Sequence, residues 1–341
     1  MSADDRPTVG VDVGGTSTRA GLVAPDGTLL AVATAPTARD ADALDATVCR
    51  LVDEVATGRD AGQDLAGQDV AAVGLAVAGF VDPTRTSVSF GAHLPWRDDR
   101  VAERLAERLG RPVTLEHDAN AAGLAEHRVG AAAGASVAVV VALGTGVGAA
   151  LLLDGRLHRG AFGVAPELGH LTVVPDGRPC PCGKRGCFER YCSGTALGAG
   201  AEELLTGTEE FSVLRAAWER ARPITGRDVC EAAARHDVLA RRVVADFARW
   251  LGEGLALVAD VLDPDVVVVA GEVSASAPLY LDDAVAAYGR LVTGAGHRRL
   301  ATVRPAALGG NAGMVGAALD ARERAVPATP RSRARRTTTP R

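Results

Sequence analysis

A chain of 341 residues with 47% hydrophobic content and a formal net charge of −5 carries ample material for a core. It exceeds the usual domain length of about 100–200 residues, so two lobes are expected. The acidic balance argues against a general nucleic-acid binder, which is normally basic. No uncharged apolar run reaches the ~18 residues a membrane span requires. The start, Met1-Ser2-Ala3-Asp4-Asp5-Arg6, lacks the basic-then-apolar pattern of a secretory leader. Six cysteines fit a reducing cytoplasm if several of them are metal thiolates. Lys184 is the only lysine among abundant arginines, which reflects codon composition rather than function.

In chain order the pattern is α/β. Thr8 to Val13 reads as a short apolar strand ending in Gly14-Gly15. Thr18 to Val23 turns at Asp26-Gly27 into a strand from Thr28 to Thr34, a hairpin by turn chemistry. Residues 41–56 read as a helix, 58–69 as a Gly/Gln/Asp-rich loop, and Val70 to Val77 as a buried strand. Val101 to Leu109 has apolar residues at i, i+4 and i+8 with Gly110 as its stop, which predicts an amphipathic helix. Val113 to Leu115 leads into Glu116-His117-Asp118-Ala119-Asn120 and a helix reaching about Arg128.

The second half repeats the theme. Ser136 to Leu143 and Gly148 to Leu153 read as strands around Gly144-Thr145-Gly146. Helices are expected near 195–206, 209–221, 227–235, 238–261 and 278–292, with strands at Val266 to Ala270 and Ala301 to Ala307. Asn311 to Arg322 reads as a closing helix. Two strand-hairpin units, each built on a glycine-flanked loop, point to two related lobes facing a cleft. From Ala325 onward, three prolines and five arginines without apolar periodicity predict a disordered basic tail.

The densest chemistry lies between Glu167 and Glu189. Glu167-Leu168-Gly169-His170 is followed by Cys180-Pro181-Cys182-Gly183-Lys184-Arg185-Gly186-Cys187-Phe188-Glu189. One imidazole and three thiolates form a complete tetrahedral shell for zinc, which is structural when four protein ligands close the site. The alternative is that these cysteines are small buried hydrophobes or disulfide partners, but Cys180 and Cys182 sit too close in sequence to pair comfortably. One Zn2+ per chain on His170, Cys180, Cys182 and Cys187 is therefore expected, with Cys49 and Cys230 left as free thiols and Cys192 the nearest substitute.

Two glycine loops can cradle phosphate. Asp12-Val13-Gly14-Gly15-Thr16 follows the first strand, and Gly144-Thr145-Gly146-Val147-Gly148 links two others. Glycine lets backbone N–H groups approach an anion with no Cβ in the way, and Asp12 can hold Mg2+ through water. Neither loop is a Walker P-loop, and tight hairpins also use glycine. At the end of the first lobe, Asp118 stands where a strand meets a helix. That position suits either a helix cap or a general base.

The metal-ligand run resembles the zinc module of the ROK family of sugar kinases and repressors, Glu-x-Gly-His followed by Cys-x-Cys-Gly-x-x-Gly-Cys-x-Glu. His117-Asp118-Ala119-Asn120-Ala121 resembles that family's Asn-Asp-x-Asn-Ala motif. The resemblance spans roughly residues 8–320 and includes Gly79-Phe80-Val81-Asp82 and His93-Leu94-Pro95-Trp96, which look like segments of the bacterial glucokinase branch. It implies an actin-like ATPase (ribonuclease H-like) fold with a central cleft. It also implies a small lobe over 1–117, a larger lobe over 118–307, and a closing helix at about 308–322 packed back on the first lobe.

By the same resemblance Asp118 is the catalytic base of a hexose kinase, with His117, Asp118, Glu167, His170 and Glu189 around the sugar. Asp12, Gly14, Gly15, Thr16, Gly144, Thr145 and Gly146 then face the ATP phosphates, and Gly271, Gly310 and Asn311 the base and ribose. The expected activity is ATP-dependent phosphorylation of glucose by a cytoplasmic homodimer or homotetramer. N-acetylglucosamine, N-acetylmannosamine, mannose or fructose are the alternatives, because His117 replaces the family asparagine that hydrogen-bonds the sugar. A repressor reading is disfavoured, since only eleven residues precede Asp12 and leave no room for a DNA-reading domain.

Overall fold

A computed structural model describes residues 5–58, 69–91 and 93–325. Most of the expected 58–69 loop and the basic stretch 326–341 lie outside the described residues. The first half of the chain opens with β1 (Thr8–Val13), β2 (Ser17–Val23) and β3 (Leu29–Pro36), then α1 (Ala41–Thr57) and β4 (Val73–Val77). A two-stranded hairpin follows, β5 (Phe80–Val81) and β6 (Val88–Phe90), then α2 (Val101–Leu109) and β7 (Val113–His117). The sheet order is β3-β2-β1-β4-β7. β1 pairs antiparallel with β2 and parallel with β4, and β4 pairs parallel with β7. The parallel strands carry Val9, Val11, Val13, Val73, Leu75 and Val77 fully or nearly fully buried, as strands covered on both faces must.

The second half starts with α3 (Asp118–Val129), β8 (Val137–Leu143), β9 (Val147–Leu153) and β10 (Arg156–Leu157). Short 3-10 turns at Leu168–His170 and Phe188–Arg190 flank the cysteine segment. Helices α4 (Gly194–Gly207), α5 (Arg215–Glu219), α6 (Gly226–Ala234) and α7 (Val238–Leu262) come next, then β11 (Val266–Ala270), α8 (Leu281–Leu291), β12 (Thr302–Pro305) and α9 (Ala312–Ala325). The second sheet runs β10-β9-β8-β11-β12, so each five-stranded sheet joins an antiparallel hairpin to parallel strands.

Helices α3 and α9 pack on each other, and α9 lies across β1 and β4. The approach is close because of glycine. A methyl on Gly316 would stand 1.7 Å from the Ala121 carbonyl oxygen, and one on Gly10 would stand 1.8 Å from that of Met314. Either side chain would drive α9 off its neighbours, so small residues fix this crossing.

Three elements start at least three residues later than expected. The helix expected over 209–221 shortens to Arg215–Glu219. Hydroxyls of Thr208 and Ser212 take the amides of Glu210 and Leu214, and the Asp237 carboxylate takes that of Val213. These side chains offer the backbone a non-helical set of partners. The 278–292 helix begins only at Leu281, because Pro278 sits in a 3-10 segment running from Glu272 to Leu279. The fourth strand starts at Val73 rather than Val70.

Candidate active site and metal centre

The cysteine segment folds into a compact loop. The Cys187 segment bridges to Thr172, and Pro179 bridges to Arg185. Gly186 makes the reversal possible, with φ of 73° and no room for a Cβ, which would lie 1.6 Å from the Val174 carbonyl oxygen. This brings one donor atom each from His170, Cys180, Cys182 and Cys187 within 4.8 Å of one another. Among the described residues it is the one cluster of this kind. The Cys182 and Cys187 sulfurs are 3.6 Å apart, and the Cys180 sulfur is 3.8 Å from His170 Nδ1. Those separations match the edge of a tetrahedron with metal bonds of about 2.3 Å, roughly 3.7 Å. The donor set thus fits a thiophilic metal ion. Cys192 is fully buried, and Cys49 and Cys230 are likewise outside the cluster.

The carboxylates flanking the segment meet the same imidazole. Glu189 Oε1 is 3.0 Å from the Cys180 sulfur and 3.6 Å from His170 Nδ1. Glu167 Oε2 lies 3.8 Å from His170 Nε2, on the opposite side of the ring. One ring nitrogen therefore faces the sulfurs and the other faces Glu167. Burial pushes the Glu167 carboxyl up; His117 and His170 oppose this, and Asp118 and Glu189 reinforce it.

Asp118 is the first residue of α3, with His117 at its N-cap. Its carboxylate is about two-fifths exposed and lies 3.2 Å from His117 Nε2. Asp12, near the end of β1, lies within range of its charge. Burial and then the Asp118 charge lift the Asp12 carboxyl from 3.8 to about 6, with Arg19 pulling the other way. Two interacting carboxylates with one pKa raised are a natural place for a cation. Because the folded-state pKa is raised, neutral Asp12 contributes stability that is complete below pH ~4 and lost as pH rises through about 6. In chelator, Asp12→Asn is therefore expected to melt only slightly above the native protein at pH 4.5 and about 2–4 °C above it at pH 8. Parallel melting curves at the two pH values checks this, and a difference independent of pH would contradict it.

The glycine loops fall at the ends of strands as expected. Gly14 donates its N–H to the Ser17 carbonyl and accepts from the Thr37 hydroxyl at 2.6 Å, while Gly15 and Thr16 are exposed beside it. The 144–146 loop is pinned by the start of α4. Gly194 N–H donates to the Gly144 carbonyl at 2.7 Å, and the Thr195 hydroxyl donates to the Thr145 carbonyl at 2.7 Å. A Cβ on Gly146 would stand 2.6 Å from Glu189 Oε2, so a side chain there would push that carboxylate aside. The phosphate-type loop thus touches a residue of the metal segment.

Gly144 and Thr145 open on a cavity of about 880 Å3. The starts of two helices line it, Gly194 and Thr195 of α4 and Thr225 and Gly226 at α6, together with Glu272 and Ser276. Helix N-termini present free N–H groups and a positive dipole end, an arrangement suited to anions. Sequence reasoning did not single out these residues, although Ser193-Gly194-Thr195 carries the visible signature of a helix cap. Gly271 adjoins the cavity with φ of 83°, packed 2.5 Å (as an added Cβ) from the Leu143 carbonyl oxygen. Gly310 and Asn311 are not among the residues lining the cavity. They receive Arg19, which donates to the Gly310 carbonyl at 2.7 Å and to Asn311 Oδ1 at 2.8 Å.

A buried charge network behind Asp118 was also unforeseen. Arg85, from the β5–β6 turn, pairs with Asp320 of α9 and lies 3.3 Å from Glu116. Arg159, just beyond β10, donates to Glu116 Oε2 at 2.9 Å. Glu116 in turn accepts from Asn120 Nδ2 and from the His117 amide.

The ROK family profile matches residues 8–324. The chain is 37% identical over 318 residues to the glucokinase of Streptomyces coelicolor, covering 93% of this chain and 98% of that one. It is similar in structure to a ROK family glucokinase from Streptomyces griseus solved with glucose and AMPPNP. The TM-score there is 0.81 and the identity 38%, covering 93% of this chain and 99% of that one. A ROK hexokinase from Thermus thermophilus matches with TM-score 0.75 and 34% identity over 92% of this chain and 97% of its own. The α/β architecture with two mixed sheets is that of the ROK sugar kinases, the actin-like ATPase fold. With near full-length agreement in sequence and architecture, the chain belongs to the ROK family.

Proposed function

We propose that this protein is an ATP-dependent glucokinase that transfers the γ-phosphoryl group to the 6-hydroxyl of D-glucose. The observation that carries the reading is the ring of acceptors around His170. Glu167 and Glu189 flank the imidazole on its two sides, and Asp118 lies close enough to raise the Glu167 carboxyl. Carboxylates suit sugar hydroxyls because each oxygen accepts from a neighbouring donor with a charge-assisted bond.

In this reading Asp118 takes the proton of the attacking hydroxyl, the one acid–base step phosphoryl transfer needs. His117, Glu167, His170 and Glu189 orient the sugar. Gly14, Gly15, Thr16, Gly144, Thr145 and Gly146 approach the phosphates through backbone N–H groups. Asp12 would hold Mg2+, whose charge offsets that of the phosphates. The helix starts at Gly194 and Gly226 and the cavity beside Gly271 accommodate the rest of the nucleotide. Gly310 and Asn311, which hold Arg19 and do not line that cavity, are the further residues we assign to the base and ribose. The lobes divide at about 117/118, with α9 completing the first. We read the protein as cytoplasmic and as a homodimer or homotetramer. Its net charge of −5 and the absence, among the described residues, of a helix long and apolar enough to cross a membrane favour neither nucleic acid nor bilayer as a partner.

Zinc is the metal we assign to His170, Cys180, Cys182 and Cys187. When bound it would cross-link the loop and orient His170 and Glu189 rather than activate the phosphate. Elemental analysis is expected to find about one zinc per chain, with Cys192→Ser retaining it and each Cys180, Cys182 or Cys187 variant losing it. Loss only in the Cys192 variant would refute the ligand set.

His117 in place of asparagine favours one second reading, the same chemistry on mannose, fructose or an N-acetylhexosamine. A coupled assay over six such sugars, with ATP and with polyphosphate as donor, tests both. Glucose with ATP is expected to give the highest kcat/KM, and no turnover of any hexose would overturn the kinase reading.

A further inference from the structure

We propose that Asn120 is a sugar-contacting residue whose Oδ1 accepts a hydrogen bond from one hexose hydroxyl, held in that sense by Glu116. This rests on the hexose-kinase reading and adds to its substrate site a residue from the buried network.

Asn120 is only 2% exposed, and its two ends meet different fates. Nδ2 donates to Glu116 Oε1 at 2.9 Å, while Oδ1 has no partner among the described residues. Buried amide oxygens are rarely left unpaired, because each one forfeits the water it gave up on folding. The two ends of a primary amide have nearly the same shape, so chemistry has to decide its sense. Burial alone would raise the Glu116 carboxyl. Arg85, Arg159 and the Asn120 amide outweigh that and hold it below its ordinary value. An ionised carboxylate accepts only, so the NH2 end must face Glu116 and the carbonyl end must face away.

Asn120 also lines a small cavity, together with His117, Glu167, Gly79, Phe80 and Pro166, among others. Two of these side chains already belong to the proposed sugar site. The cavity measures about 10 Å3, space for a single oxygen-sized group rather than a sugar ring. One hydroxyl projecting from a ring in the open cleft fits it and supplies the missing donor. Glu116 is then a positioning residue that acts through Asn120. Arg159, which reaches Glu116 from the segment leading to Glu167, ties both walls of the cavity to the same carboxylate.

The test measures dissociation constants by calorimetry for glucose and the 2-, 3- and 4-deoxyglucoses against the native protein and Asn120→Ala. Loss of one neutral hydrogen bond is expected to weaken glucose binding about 3- to 15-fold, leaving AMPPNP binding unchanged. One deoxy sugar, weakened for the native protein, should lose nothing further in Asn120→Ala, since both changes delete the same bond. Should Asn120→Ala fail to fold, Asn120→Ser is read by the same coupling. Unchanged glucose affinity, or equal losses for glucose and all three deoxy sugars, would overturn the inference and mean that Oδ1 meets only water. A native protein that binds no hexose would instead overturn the kinase reading beneath it.

Discussion

Asp118→Asn is expected to lower kcat by on the order of 100-fold or more while the protein stays folded. The substitution keeps shape and hydrogen-bonding reach but removes basicity. Structural damage should be small, because Asp118 is already about two-fifths exposed at the first position of α3 and, among the described residues, accepts only from its neighbours, the Ala119 amide at 2.7 Å and His117. The Asp12 carboxyl would also lose the nearby charge that helps raise it, so nucleotide binding should hold or improve. Glucose affinity should change little, since a neutral amide still accepts from the hydroxyl. A steady-state assay with circular dichroism as the folding control checks the result. Near-native turnover in the variant would remove Asp118 from the chemistry and leave it a helix-start residue.

The parts of this site that were legible in the sequence are those written in consecutive residues. His170, Cys180, Cys182 and Cys187 fall within one short segment, and zinc chemistry restricts both ligand type and spacing, so the cluster could be read before any folding. The Asp118 position was legible because a strand ran into a helix there. The nucleotide-sized cavity was not. Its walls come from residues 144–145, 194–202, 223–231 and 272–276, and no local pattern reports which loops the sheet will gather at one end. The Arg85–Glu116–Asp320–Arg159 network was hidden for the same reason. Arg85 and Asp320 are 235 residues apart, and each alone looks like an ordinary surface charge.

Helix limits failed where side chains compete with the backbone. Asp237 reads as a plain cap for α7, and it does accept from the Ala240 amide. Its second oxygen also takes the Val213 amide at 2.8 Å, which holds Val213 in a turn where a helix was expected. A carboxylate with two acceptor oxygens can serve two segments, and sequence shows only the nearer one. Asn120 is a related case. The motif that contains it was visible, whereas an unpaired Oδ1 is a fact of packing.

Cys187→Ser should raise the glucose KM about 10- to 100-fold, the range typical of losing a partner that orients a metal-held residue, while the ATP KM changes far less. In the proposed reading the metal centre touches the sugar side at two points. Glu189 lies 3.0 Å from the Cys180 sulfur, and His170 presents Nδ1 to the cluster and Nε2 toward Glu167. Releasing the metal therefore frees both a carboxylate and an imidazole. The proposed nucleotide side is anchored elsewhere. Gly144 and Thr145 are held by Gly194 and Thr195 at the start of α4, and Gly14 by Ser17 and Thr37. One contact crosses between the two, Gly146 against Glu189, so a small secondary effect on ATP is expected. Titrating glucose and AMPPNP separately against folded, metal-depleted Cys187→Ser decides the matter. Equal losses for both ligands would mean that the metal merely holds the second half of the chain together. A loss confined to glucose would place the ion behind the sugar site, where it sets the geometry of His170 and Glu189 without touching phosphate.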